Sequence, residues 1–260
     1  MTALLEVGGL SRNFGGLAAV SDVSFTVPES EILGLIGPNG AGKTTVVNLI
    51  SGVIRPSAGR IVFAGRDVTS AAPHRLAAMG LVRTFQSTTV FPARTVRENA
   101  LRGAYLHSWP GFGQALLGTA AAARKRSSAA REVEMLLEEM GLQPVANHVA
   151  GGLPYGFQKM LGIVIALAAR PRLVMLDEPV AGLSLEEADQ IRNVITRMRD
   201  RGVSVIVIDH NMRFISGLCD RLVVLHHGRE LAQGSPQKVL SMPDVIAAYL
   251  GKRNAAPLHP

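Results

Sequence analysis

The run Ile32-Leu33-Gly34-Leu35-Ile36, followed directly by Gly37-Pro38-Asn39-Gly40-Ala41-Gly42-Lys43-Thr44-Thr45, decides how the rest of the chain is read. It reads as a buried strand, a glycine-rich loop and the start of a helix, and it satisfies the spacing GxxxxGK[ST] through Gly37, Gly42, Lys43 and Thr44. Glycines let the backbone curl until consecutive N–H groups point at one place, and a helix opening near Gly42 aims its positive end there too. Holding a nucleoside triphosphate makes those demands. The spacing predicts Lys43 on the β- and γ-phosphates and the Thr44 hydroxyl on Mg²⁺. A glycine turn that binds nothing would have no use for the lysine and two threonines in register.

Upstream of the loop, Leu4 to Val7 and Val23 to Val27 are short β-like runs divided by Gly15-Gly16 and Pro28-Glu29-Ser30, which predicts a small sheet feeding the loop. Downstream, Thr44 to Ile50 suits a helix ended by Gly52 and Pro56, and Ile61-Val62-Phe63 restarts a strand. Residues 74 to about 170 change character. Glu132 to Met140 carries Val133, Leu136, Leu137 and Met140 on one helical face before Gly141, and Met160 to Ala169 is apolar nearly all round, as a buried helix is. Between them, Gly103 to about Ser128 is rich in Gly and Ala with little periodicity, and a mobile or partner-dependent segment is expected there. Strand patterns return in Leu173 to Leu176 and Val203 to Ile208 with the helical stretch Leu185 to Met198 between, a unit that implies parallel strands and a right-handed crossover.

Length and composition narrow the classes. With 47% hydrophobic residues, 260 residues bury one sizeable core or a core with a subdomain. No apolar stretch reaches the roughly 20 residues needed to cross a bilayer, and Met1 to Glu6 lacks the basic and apolar regions of an export signal. A cytoplasmic location is therefore expected. The lone Cys219 sits among Ile215, Leu218 and Leu222 and is assigned no chemistry. A net charge of +7 suggests an anionic neighbour; between Arg102 and Arg131 it concentrates in Arg124-Lys125-Arg126, either a solvated face or a contact for lipid head groups or a partner.

Other residues look toward the same phosphates. Leu173 to Pro179 places Asp177 and Glu178 at the carboxyl end of a buried strand, where ligands of open α/β sheets collect. Alone the pair also admits the reading of two turn residues before Pro179. Beside a phosphate loop, Asp177 reads as a Mg²⁺ ligand and Glu178 as the group that polarises the attacking water. Gln86 could offer its carbonyl to the metal, and His210, past the strand ending at Ile208, could hydrogen-bond a γ-phosphate. A single glutamine or histidine is more often a satisfied polar group, and only their order along the chain favours the functional reading.

Five motifs in order make nearly the whole chain, about Leu5 to Leu250, resemble the nucleotide-binding subunits of ABC transporters: the phosphate loop 37 to 45, Gln86, Leu153-Pro154-Tyr155-Gly156-Phe157-Gln158, Asp177-Glu178 and His210. The resemblance implies an α/β fold, with a P-loop NTPase core of mixed and parallel sheet, an N-terminal antiparallel β subdomain and an inserted helical subdomain. It implies a core at 5–88 and 166–250, the helical insertion at 89–165 and a tail at 251–260. It also implies Phe14 stacking on adenine, Ala181-Gly182-Leu183-Ser184 passing between two subunits, and Leu153, Pro154, Tyr155 and Gly156 reaching ATP held by the opposite subunit. The stretches Val82 to Gln86, Leu153 to Gly156 and Asp177 to Leu183 look most like the larger ATPase of branched-chain amino acid importers, with urea and lipopolysaccharide ATPases sharing much of the pattern.

On this resemblance the chain is expected to be an ATPase peripheral on the inner face of the cell membrane. ATP and Mg²⁺ are its expected ligands. Its expected partners are a second ABC ATPase subunit, identical or different, integral permease subunits and, indirectly, a substrate-binding protein; no nucleic acid is expected. A soluble ATP switch acting on ribosomes or DNA is the rival from another class, and such relatives usually carry two domains or a coiled coil. The family's usual signature is LSGGQ. Pro154 replaces its serine and brings neither hydroxyl nor backbone N–H, while Tyr155 and Phe157 add bulk. Gly162, Ile165 and Asn211 also depart from the family's usual charged residues.

Overall fold

A computed structural model describes residues 3–84, 90–105 and 120–250. Among the described residues the strands are, in chain order, β1 (Ala3–Phe14), β2 (Leu17–Pro28), β3 (Ile32–Ile36), β4 (Ala58–Phe63), β5 (Arg66–Asp67), β6 (Leu81–Arg83), β7 (Leu173–Asp177), β8 (Ser204–Ile208), β9 (Arg221–His226) and β10 (Arg229–Gly234). The chain divides into two compact units, one made of residues 1–73 and 196–260, the other of residues 74–195.

The first unit holds an antiparallel sheet in the order β2-β1-β4-β5, the arrangement expected for the N-terminal part. Its alternation is visible in β2, where Val23, Phe25 and Val27 are buried while Ser24 and Thr26 face out. Val7 pairs with Phe25 across β1 and β2, and Leu5 with Phe63 across β1 and β4. Both strands are longer than the apolar runs predicted, because β1 and β2 continue as a mostly uncovered ribbon to a turn at Gly15-Gly16. The same unit carries β10-β9-β3-β8. Here β3 runs parallel to both β8 and β9, pairing Gly34 with Val207 and Leu35 with Val223. Every residue of β3 and β8 is buried, as in strands covered on both faces. Cys219 packs against this sheet with its thiol pushed up by burial, which keeps it inert, as its apolar neighbours suggest.

The second unit pairs β6 and β7 in parallel, Leu81 with Leu173 and Arg83 with Met175. The same unit holds the helices Val96–Gly103, Ala120–Glu139 and Tyr155–Ala168, which pack on one another. Thr95 caps the first with a reciprocal Thr95–Glu98 box. Buried Asn99 accepts the Phe91 N–H at 2.7 Å and donates to the Phe91 and Thr95 carbonyls, so the chain entering this helix is fixed by one side chain. Gly103 meets the third helix so closely that a Cβ would lie 2.1 Å from the Ile165 carbonyl oxygen.

One expectation changes here. Residues 120–128, read as part of a mobile segment, are helical and belong to the helix predicted only from Glu132. Residues 123–128 are all exposed, so no apolar face repeats; alanine, arginine and lysine favour the helix by intrinsic propensity instead. Residues 106–119 lie outside the described residues. Among the described residues no helix is long and apolar enough to cross a membrane.

Candidate functional site

In the first unit the phosphate-loop candidate joins β3 to the helix Lys43–Ile50. Gly42 is the N-cap of that helix at φ 98°, and no side chain caps its first turn, which directs the positive end of the helix toward the loop. Two glycines are demanded by space. A Cβ on Gly37 would lie 2.2 Å from the Leu225 carbonyl oxygen, and one on Gly42 would lie 2.8 Å from that of Ala19. The loop is also braced from the β9–β10 turn, where the Gly228 N–H donates to the Ala41 carbonyl at 3.0 Å and the Gly228 carbonyl accepts the Ser21 N–H at 2.7 Å. Gly228 belongs to a two-residue turn, His227-Gly228, with both residues at positive φ.

The Lys43 ammonium donates to the carbonyls of Gly37 at 2.7 Å and Pro38 at 3.0 Å, which keeps it on the loop. Thr44 is exposed, and Pro38 and Thr45 are half-buried. Asn39 and Gly40 are exposed at the tip, and Ala41 is buried beneath it. Because β3 and β8 are parallel neighbours, this loop and the residues after Ile208 leave the sheet at the same edge. There His210 is exposed while Asp209 is buried. One Asp209 oxygen accepts the Asn211 N–H at 2.9 Å and lies 3.9 Å from His210 Nδ1. Asn211 accepts the Phe214 N–H and caps the helix Met212–Ser216, a task aspartate performs equally well, which accounts for this departure from the family pattern. Phe14, at the end of β1, exposes nearly half its surface, with the Arg12 guanidinium 4.7 Å from its ring centroid.

In the second unit Asp177 ends β7 and is buried, and Arg83, ending the neighbouring β6, donates to it at 2.9 Å. Arg83 had been read only as a family marker, and its partner lies 94 residues away. Glu178 follows at φ 48°, a left-handed conformation that costs a non-glycine residue roughly 1–3 kcal/mol. Its carbonyl accepts the Ala181 N–H at 3.3 Å and the Lys159 ammonium at 2.9 Å.

The signature candidate opens the helix Tyr155–Ala168, with Pro154 as its N-cap and no side-chain cap. Leu153 is buried, while Tyr155 and Phe157 are exposed. The Gln158 N–H donates to the Pro154 carbonyl at 3.2 Å, so the helix closes its first turn despite the proline. The N–H groups of Tyr155, Gly156 and Phe157 precede that bond and have no acceptor within the helix. A Cβ on Gly156 would lie 2.2 Å from Glu187 Oε1, so a larger residue there would have to displace that carboxylate. Glu187 is committed elsewhere, accepting the Ser184 N–H at 2.8 Å in a reciprocal box that caps the helix Leu185–Asp200. Gln86 lies outside the described residues.

The two groups of residues therefore offer distinct chemistry. The first presents main-chain N–H groups, an ammonium and a hydroxyl suited to an anion; the second presents two carboxylates at a strand end and an open helix terminus. Hard oxygen donors, the Thr44 hydroxyl and the Asp177 carboxylate, are the kind Mg²⁺ takes.

Comparison with known proteins gives a consistent result. The ABC transporter family model matches residues 20–181, and the branched-chain amino acid ATP-binding cassette transporter model matches residues 229–254. The chain is 40% identical over 250 residues to the high-affinity branched-chain amino acid transport ATP-binding protein BraF of Pseudomonas aeruginosa, covering 96% of this chain and 98% of the relative. It is 39% identical over the same span to the corresponding protein LivG of Escherichia coli, with the same coverage. Among solved structures, the ADP conformation of MJ1267, an ATP-binding cassette of an ABC transporter, superposes with a TM-score of 0.85 at 30% identity, covering 96% of this chain and all of that one.

Proposed function

The chain belongs to the ABC transporter ATP-binding family, and on that premise we propose that it is the ATP-hydrolysing subunit of an importer that energises uptake of branched-chain or related amino acids. The observation that carries the choice of cargo is the match at residues 229–254 to the branched-chain cassette model, which lies outside the segment shared with ABC transporters at large. The chain would sit peripherally on the inner face of the membrane and act on separate permease subunits, with a substrate-binding protein beyond them. We take residues 5–250 as its ATP-binding domain, with a core at 5–88 and 166–250 and the insertion at 89–165, and residues 251–260 as following it.

The roles proposed follow the donors and acceptors in place. Phe14 stacks on adenine. Residues 37–45 cradle the phosphates by their N–H groups, supported by the uncapped helix start behind Gly42. Lys43 exchanges its two loop carbonyls for phosphate oxygens. Thr44, Asp177 and Gln86 would hold Mg²⁺, which when bound neutralises charge on the β- and γ-phosphates. Glu178 accepts the proton of the attacking water and His210 orients that water against the γ-phosphate. Two such subunits sandwich ATP between one loop and the opposite signature, and the closed pair prefers ATP while the open pair does not, which is what drives the permease.

At the signature, Leu153, Pro154, Tyr155 and Gly156 would face ATP held by the opposite subunit. Pro154 removes two donors there, each of a class contributing about 1.5–3 kcal/mol when charge-assisted. The N–H groups of Tyr155 and Gly156 remain at an open helix end. We infer that the chain works beside a different ATPase subunit whose complete signature closes over this chain's phosphate loop and Glu178.

Copurification from membranes, with identification of the associated proteins, tests the assignment: permease subunits and a second ATPase are expected, and failure to associate with any membrane protein overturns it. The purified chain should hydrolyse ATP slowly and recover when the second ATPase is added. Brisk turnover by the chain alone, abolished by Glu178→Gln, would sink the idea of an unlike partner.

A further inference from the structure

We propose that Lys159 is a positioning residue for hydrolysis, tying the helix that begins at the signature to the peptide of Glu178. Lys159 lies one turn into the helix Tyr155–Ala168 and is only 9% exposed. Its ammonium donates at 2.9 Å to the carbonyl of Glu178, and it lies 5.4 Å from the centroid of the Tyr155 ring. The same carbonyl accepts the Ala181 N–H, and the Tyr155 ring lies against Gly182, where an added Cβ would be 3.4 Å from Cε1. One carbonyl therefore joins three elements: the start of the signature helix, the turn Ala181-Gly182-Leu183-Ser184, and Glu178.

This is an unusual use of a buried lysine. Burying an ammonium is unfavourable unless it is well satisfied, and methionine or leucine would fill the space without that cost. The partner gained is a main-chain carbonyl and a ring face rather than a carboxylate. That carbonyl belongs to a residue held at φ 48°, a conformation that persists only when its surroundings over-determine it. Fixing the peptide plane on the carboxyl side of Glu178 helps fix the direction of its Cα–Cβ bond, and so where its carboxylate can reach. A shift of the signature helix would pull on that peptide through Lys159. The inference rests on the reading of Glu178 as the residue that polarises water.

The test uses the assembled transporter purified from membranes, with the chain carrying Lys159→Met, Lys159→Arg or Glu178→Gln. Steady-state ATP turnover gives kcat and KM; a fluorescent ATP analogue reports nucleotide affinity, and thermal unfolding reports stability. A positioning role predicts that Lys159→Met lowers kcat by about tenfold or more while KM, nucleotide affinity and the unfolding midpoint stay near their original values. Lys159→Arg, which keeps a cationic donor, should recover most of the lost turnover. An unchanged kcat in Lys159→Met overturns the inference, as does a loss of turnover matched by equal losses of nucleotide affinity and thermal stability, which would mark Lys159 as structural only. Turnover that survives Glu178→Gln overturns the reading of Glu178 itself, and this inference with it; abolition by Glu178→Gln with an unchanged Lys159→Met removes only the role of Lys159.

Discussion

The phosphate loop and the Asp177–Glu178 strand end are built by opposite means. At the loop the backbone does the work: Gly37 and Gly42 leave no room for a side chain, the helix start is uncapped, and the bracing from Gly228 is main chain to main chain. At the strand end, side chains from distant parts of the sequence hold the carboxylates in place, Arg83 on the Asp177 carboxylate and Lys159 on the Glu178 carbonyl. A site made of backbone is pinned by which residues cannot be there, whereas a site made of side-chain ties depends on which partners are. The first should therefore be sensitive to added atoms and the second to deleted charges.

The largest effect expected from that difference is at Arg83. Its ion pair with Asp177 is almost fully buried, with side-chain exposures of 8% and 6%, and removing one partner of such a pair leaves a buried charge unanswered at a cost of about 3–5 kcal/mol. Arg83→Met should lower the unfolding free energy by that order in denaturant titrations. The double variant Arg83→Met/Asp177→Leu should recover most of the loss, since two apolar groups leave no orphan charge; a double variant as unstable as the single one would show that the pair is not what holds the strand end. Next comes Glu178→Gln. General-base contributions are about a hundredfold or more, equivalent to roughly 2.7 kcal/mol. Turnover should fall by that factor while ATP affinity, which belongs to the loop, is unchanged.

The same contrast explains what could be read without coordinates. Strands β3, β7 and β8 are continuous apolar runs with every residue buried, so their existence was legible, and β3 does run parallel to β8. The loop was legible because only glycine tolerates its geometry. The partners of the carboxylates were not, since nothing in local sequence says that Arg83 will meet a residue 94 positions away or that Lys159 faces inward from an otherwise apolar helix. Helix residues 120–128 went unread because residues 123–128 are exposed and offer no buried face to give a period. Beyond His210 the hairpin β9–β10 and the helices Pro236–Leu240 and Pro243–Leu250 were not anticipated: their runs are short, and β10 alternates only weakly in burial. Gln86 lies outside the described residues.

An added methyl tests the backbone side of the comparison. Gly37→Ala places a Cβ within 2.2 Å of the Leu225 carbonyl oxygen, which cannot be relieved by rotating a side chain. A forced backbone shift costs about 1–3 kcal/mol, and because the strain falls on the loop it should appear as roughly a tenfold to hundredfold weaker binding of a fluorescent ATP analogue. Gly40→Ala is the control. Nothing lies within 4 Å of a Cβ there, so only its φ of 78° opposes the change and a smaller loss is expected. Equal losses at the two positions would mean that space is not what selects Gly37.

The smallest effect concerns an ion pair of the second unit that includes neither Asp177 nor Glu178. Arg97 donates to Glu134, which Gln143 also contacts, and these hydrogen bonds, Arg97 first, hold the Glu134 carboxyl below the usual carboxylate range. A carboxyl with a lowered folded-state pKa stabilises the fold above its unfolded pKa, and that stabilisation is lost as pH falls through the lowered value. Both side chains are about one-third exposed, so solvent screens much of the gain. Glu134→Gln should lower the unfolding midpoint by only roughly a degree near pH 7, and the difference from the unaltered chain should shrink on acidification below the ordinary carboxylate range. A difference that grows with acid, or one comparable to that of Arg83→Met, would contradict the view that depth of burial, rather than the presence of an ion pair, decides which charges this chain depends on.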